Sequence, residues 1–134
     1  MAKIVDIEGI GPANASKLAS AGITTTGQLL KTAGPAAGRK DLATKTGISD
    51  KVLLEWVNRS DLFRVKGVGT QYSDLLEHAG VDSPKEFATR NAENLRKKFE
   101  EINTAKKLVR QLPSVKQIES MIASAKTLDK AVTH

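Results

Sequence analysis

Apolar residues recur along this chain at helical intervals. Leu95, Phe99 and Ile102 stand four and three apart, and Val52 and Trp56 stand four apart with Val57 one position on. Side chains at that spacing share one face of a helix and are buried together. No alternating run of β-branched residues offers a competing strand. The pattern therefore predicts an all-α protein of short helices. The last should begin at Ser114-x-x-Gln117, directly after Pro113, because a hydroxyl and an amide at that spacing form a capping box. It should carry Ile118, Met121, Ile122 and Ala125 on the face that closes the core.

The pattern also repeats. "IEGIGPANASKLASAGITTTGQLL", residues 7–30, shifted by 58 positions lands without a gap on "VKGVGTQYSDLLEHAGVDSPKEFA", residues 65–88. Gly9, Gly11, Leu18, Ala21 and Gly22 recur as Gly67, Gly69, Leu76, Ala79 and Gly80, and Ile7, Ile10 and Ile23 as Val65, Val68 and Val81. Upstream, Ile4 and Leu62 are matching apolar anchors of a short helix leading into each turn. Downstream, Thr25-x-x-Gln28 and Ser83-x-x-Glu86 both read as capping boxes, with Pro84 at a first helical position.

A weaker match, allowing one inserted residue, pairs Leu42 with Leu95, Ile48 with Ile102, and Ser49 with Asn103 as helix N-caps. "TAGPAAGRK", residues 32–40, reads as a mobile loop. These features divide the chain into modules 1–59 and 60–134, the second carrying the closing helix. No linker-like composition separates them, so they are expected to pack as one compact domain, 1–134.

Glycine, hydrophobe, glycine has a physical meaning here. A chain that leaves one short helix and enters another within about three residues needs a positive φ, which glycine adopts without a Cβ penalty. A second glycine at the start of the next helix leaves its free N–H groups open, where the helix dipole favours an anion. The bland alternative is a turn that only joins two packed helices.

"IEGIGPANASKLASAGITTTGQLL" resembles the helix-hairpin-helix motif, hydrophobe-x-Gly-hydrophobe-Gly-x-x-x-Ala, with Ala15 in the last position and Ser73 replacing it in the second copy. The resemblance implies a fold of two related helix-hairpin-helix modules. It also implies binding of one DNA strand's phosphates through main-chain N–H groups without reading bases, often beside a monovalent cation held by backbone carbonyls. Carried across, the phosphate-contacting positions are Gly9, Gly11, Ala13, Asn14 and Lys17 in the first copy and Lys66, Gly67, Gly69, Gln71 and Tyr72 in the second. The whole chain, from "IEGIGP" through "TGISDKVLLEWVNRSDLFRVKGVG" onward, is also similar to the bacterial domain-of-unknown-function family 4332, which implies the same fold and supplies no activity.

The two copies differ in charge. Glu8 precedes the first glycine where Lys66 stands in the second copy, and Pro12 removes one donor from the first. On electrostatics the second turn is the better anion seat.

The chain as a whole holds 21 Lys and Arg against 15 Asp and Glu, a net charge of +6, which favours polyanionic partners. "RKKFEE" and "KKLVR" concentrate basic residues, although Glu100 and Glu101 interleave as they would on a solvated helix face. Aromatic content of 4% excludes base stacking as the main mode of recognition, and Trp56 reads as core. The absence of cysteine excludes disulfides and thiolate chemistry. His78 and His134 have no partners at metal-ligand spacing, and no nucleotide loop or catalytic motif is present. No long apolar span or signal peptide is visible, so no membrane association and a cytoplasmic location are expected.

The leading expectation is non-catalytic, sequence-independent binding of the duplex DNA backbone, with no resident cofactor beyond a monovalent cation at a turn. The rival is a protein-interaction or scaffold module built on the same fold. Oligomeric state is not encoded in any pattern seen here.

Overall fold

Helix boundaries in this chain fall where an acceptor meets the free N–H groups of a first turn, or where glycine reverses the backbone. The computed structural model describes residues 2–133. One 3-10 turn, Ile4–Asp6, precedes eight α-helices: α1 (Pro12–Ser20), α2 (Thr26–Ala33), α3 (Ala36–Thr46), α4 (Asp50–Leu62), α5 (Thr70–His78), α6 (Pro84–Ala88), α7 (Ala92–Lys106) and α8 (Val115–Ala125). An isolated bridge between Lys3 and Thr25 is the sole β feature among the described residues, so the protein is all-α.

The chain forms two compact units, Met1–Asp61 with Lys130–His134 and Leu62–Asp129. In the first, Ile7, Leu18, Ile23, Leu29, Leu53 and Val57 are almost fully buried, and Trp56 is core as its spacing predicts. In the second, Leu75, Leu76, Val81, Phe87, Leu95 and Phe99 form the centre of one apolar cluster. There α8 packs on α6 and α7. It starts at the Ser114–Gln117 capping box and buries Ile118, Met121, Ile122 and Ala125.

Three sequence expectations are corrected. The Thr25–Gln28 box is complete: Gln28 N–H donates to Thr25 Oγ1 at 3.1 Å, and Gln28 Oε1 accepts from Thr25 N–H at 3.2 Å. At the second site only the hydroxyl half forms, with Glu86 N–H donating to Ser83 Oγ at 3.1 Å. The Glu86 carboxylate turns instead to Arg90, 3.0 Å from Nη2. A charged partner one helical turn on outcompetes a backbone amide, and Gln28 has only Thr32 at that place.

Asn103 is not an N-cap. Gly47, at φ +74°, separates α3 from α4, whereas the aligned position in the second half is Glu101 and α7 runs straight through it. Asn103 clamps Val109 from both sides, accepting from its N–H at 3.0 Å and donating to its carbonyl at 3.1 Å.

Residues 32–40 are not a mobile loop either. They are packed tightly on the backbone around them, because a Cβ on Gly38 would stand 2.1 Å from the Thr32 carbonyl oxygen. Next to it, Arg39 is 2% exposed and donates through Nη1 to the Ala33 and Gly34 carbonyls at 3.0 and 3.1 Å. Glycine is chosen here for lack of volume rather than for flexibility.

Gly38→Ala is therefore expected to destabilise the protein by about 1–3 kcal/mol, the usual cost of overpacking. In urea unfolding followed by circular dichroism, the midpoint should fall with the slope unchanged.

Candidate functional site

The two glycine turns are the same local structure. In the first, Ile7 N–H donates to the Ile4 carbonyl at 3.1 Å and Ile10 N–H to the Ile7 carbonyl at 3.2 Å. In the second, Val65 N–H donates to Leu62 at 3.0 Å and Val68 N–H to Val65 at 3.1 Å. The central hydrophobes Ile10 and Val68 are both buried. The helices that follow also end alike: Gly22 and Gly80 each have φ +84°, and Ile23 and Val81 donate to Leu18 and Leu76 at 2.9 Å. A shift of 58 residues reproduces every one of these bonds.

Within each turn the two glycines have different reasons to be there. Gly9 and Gly67 sit at φ +94° and +93°, a conformation costly for any residue with a Cβ. Gly11 and Gly69 are extended, at φ −84° and −122°, which any residue can adopt. A Cβ added at either would meet nothing within 4 Å. Neither backbone strain nor packing calls for glycine at those two positions.

What Gly11 and Gly69 leave open are helix starts. Thr25, Ser49, Ser83, Asn91 and Ser114 place side-chain acceptors on the first turns of α2, α4, α6, α7 and α8. The first turn of α3 is capped from a distance, Ala36 N–H donating to Thr133 Oγ1 at 2.9 Å. Among the described residues, only α1 and α5 begin without a side-chain cap. The N–H groups of Gly11, Ala13 and Asn14, and of Gly69, Thr70, Gln71 and Tyr72, have no acceptor among the described residues; Ala15 and Ser73 are the first to bond inward, to the Gly11 and Gly69 carbonyls at 2.9 Å.

At the second turn Gly67, Gly69, Thr70, Gln71 and Tyr72 line a shallow depression of about 300 Å³. Lys66, the residue before Gly67, is exposed, and its own N–H is held by Ser124 Oγ at 3.0 Å. Gln71 is exposed as well. The Tyr72 ring packs against the core cluster and its hydroxyl donates to the Gln111 carbonyl at 3.3 Å, so Tyr72 offers the site its backbone rather than its ring.

At the first turn Gly9, Gly11, Ala13 and Lys17 are exposed and Asn14 is half-buried. Sequence reasoning missed Arg59 there. Its Nη1 donates to the Glu8 carbonyl, and it lies 3.7 Å from where a Gly9 Cβ would stand. This guanidinium puts a positive charge beside Glu8 and offsets part of the electrostatic difference between the turns. Nothing in the local pattern could have revealed it, because the two residues are 51 positions apart.

Two further side chains make contacts one helical turn away. Arg96 lies 3.8 Å from Glu100, and His78 Nδ1 is 2.8 Å from the Asp74 carbonyl oxygen. No group of three His, Asp or Glu side chains that could hold a metal occurs among the described residues. No helix among them is long and apolar enough to cross a membrane.

A protein-family model described as "Domain of unknown function (DUF4332)" matches residues 8–128, a stretch that includes both turns and all eight helices. The chain belongs to the DUF4332 family. Searches of curated proteins and of solved structures returned no match. The DUF4332 description names no activity.

The geometry of the turns separates the glycines by experiment. Gly9→Ala and Gly67→Ala should each cost about 1–2 kcal/mol for a left-handed backbone. Gly11→Ala and Gly69→Ala should lie within about 1 kcal/mol of wild type, the range over which N-cap preferences vary. Thermal and urea unfolding of the four variants would measure the contrast.

Proposed function

We propose that this protein binds duplex DNA non-catalytically and without regard to base sequence, seating backbone phosphates on the open starts of α1 and α5 as helix-hairpin-helix proteins do. One observation carries the reading. Of the eight helix starts among the described residues, the two without an acceptor there are the two headed by a glycine that neither conformation nor packing requires. Free N–H groups at a helix start, together with the dipole, favour a phosphate, and a missing side chain lets it approach.

Charge supports the same partner. The net charge of +6 favours a polyanion, and a backbone contact needs no aromatic platform, of which this chain has little. The seat at Gly69 is the stronger. Lys66 flanks it, its depression is open, and all three first-turn residues of α5 keep a donor, whereas Pro12 removes one from α1. Glu8, at roughly 6 Å from a seated phosphate, would repel it by about 1 kcal/mol or somewhat less in water-like surroundings, and Arg59 offsets part of that.

Titration of a fluorescent duplex of arbitrary sequence should show affinity that falls steeply with salt and scarcely changes with sequence. Lys66→Glu should weaken binding and Glu8→Lys strengthen it. Each should act about equally on all sequences, because phosphate contacts carry no base information. Absence of binding at about 50 mM salt, where such contacts are still strong, would favour a protein-interaction module instead. Two charge variants that fold and leave affinity unchanged would do the same.

A further inference from the structure

Residues 130–133 are distant in sequence from the first unit and yet belong to it. They form no helix or strand, and they lie against the α2–α3 junction through a specific set of bonds. Thr133 N–H donates to the Gly34 carbonyl at 2.9 Å. Thr133 Oγ1 accepts from Ala36 N–H at 2.9 Å, and the Thr133 carbonyl accepts from Arg39 Nη2 at 2.8 Å. Val132 is buried, and Gly34 makes room for the segment, since a Cβ there would stand 2.3 Å from the Ala131 carbonyl oxygen.

Arg39 also has partners outside the segment. Arg39 is held by the Ala33 and Gly34 carbonyls through Nη1, and its Nε lies 3.4 Å from Asp50 Oδ1. Those partners all lie in residues 33–50. A guanidinium held through Nη1 by two carbonyls presents Nη2 as a donor to an incoming carbonyl. The junction thus offers one backbone acceptor, one helix N–H, one buried charged donor and a place for one β-branched side chain. That is the complement of an extended peptide reading small residue, valine, threonine.

We propose that the α2–α3 junction is a peptide-binding site, independent of the glycine turns, and that residues 130–133 are a detachable cis occupant of it. Its ligands are extended peptides with a β-branched residue followed by Thr or Ser, the hydroxyl completing the first turn of α3. A partner protein carrying such a segment competes with residues 130–133.

The test uses the full chain and a fluorescein-labelled peptide of residues 126–133. Val132→Asp in the protein should expel residues 130–133, because a carboxylate does not tolerate that burial without a partner. The variant should then bind the wild-type peptide saturably, at least tenfold more tightly than the wild-type protein does. The same peptide carrying the Val132→Asp change should not bind. A folded Val132→Asp protein that fails to bind the peptide, or wild-type and variant proteins that bind it equally, would overturn the proposal.

Amide hydrogen exchange on the wild-type protein decides the matter if the variant does not fold. The Ala36 and Thr133 amides should exchange by a local opening well ahead of those inside α2 and α4. Exchange of all of them together, through one global unfolding, would make residues 130–133 an integral part of the core and refute their being detachable.

Discussion

Every helix begins with N–H groups that its own backbone cannot satisfy, and this protein is organised around where those groups find acceptors. Short helices make the constraint severe. With eight helices in the described residues, a large fraction of the chain lies in a first or last turn. Local side chains meet the need at five starts, and a threonine brought from 97 residues away meets it at a sixth. The remaining two are left to solvent or to a ligand, and they head the repeated turns. The same physical requirement thus sets helix boundaries, fastens residues 130–133 to the first unit, and marks the candidate site.

Much of this was legible because it is local. Hydroxyl-x-x-amide spacing located the start of α8, and helical spacing placed Ile118, Met121, Ile122 and Ala125 on its buried face. Two glycines flanking a hydrophobe, repeated 58 residues on, located two turns whose hydrogen bonds coincide. The failures are equally physical. Gly34 and Gly38 in a proline-containing stretch look like a flexible loop, and only the three-dimensional path shows the Ala131 and Thr32 carbonyls where their side chains would be. Arg39 could not be recognised as a buried anchor, nor Arg59 as a neighbour of Glu8, since each acts on residues remote in sequence. Glu86 failed as a cap because Arg90 competes for it, an outcome that depends on rotamer choice as well as spacing.

The repeat has diverged where its two copies would face an anion and is preserved where they turn. Gly9 and Gly67 share a φ within one degree, and the bonds that close the turns agree within about a tenth of an ångström. Outside that frame one copy has Glu8 and Pro12, the other Lys66 and Thr70. The turn is thus held constant while the flanking charge and one backbone donor differ, which on the proposed reading makes the second turn the primary contact and the first an auxiliary one.

The open amides of α1 and α5 can be observed one by one. Nuclear magnetic resonance spectra of the labelled protein, recorded during titration with a short duplex at low salt, test phosphate seating on them most directly. The predicted result is that the largest chemical-shift changes fall on the N–H groups of Gly69, Gln71 and Tyr72, then on Gly11, Ala13 and Asn14, while the capped amides of Gln28, Glu86 and Gln117 stay in place. Changes confined to the basic residues of α7, or no changes at all, would contradict it.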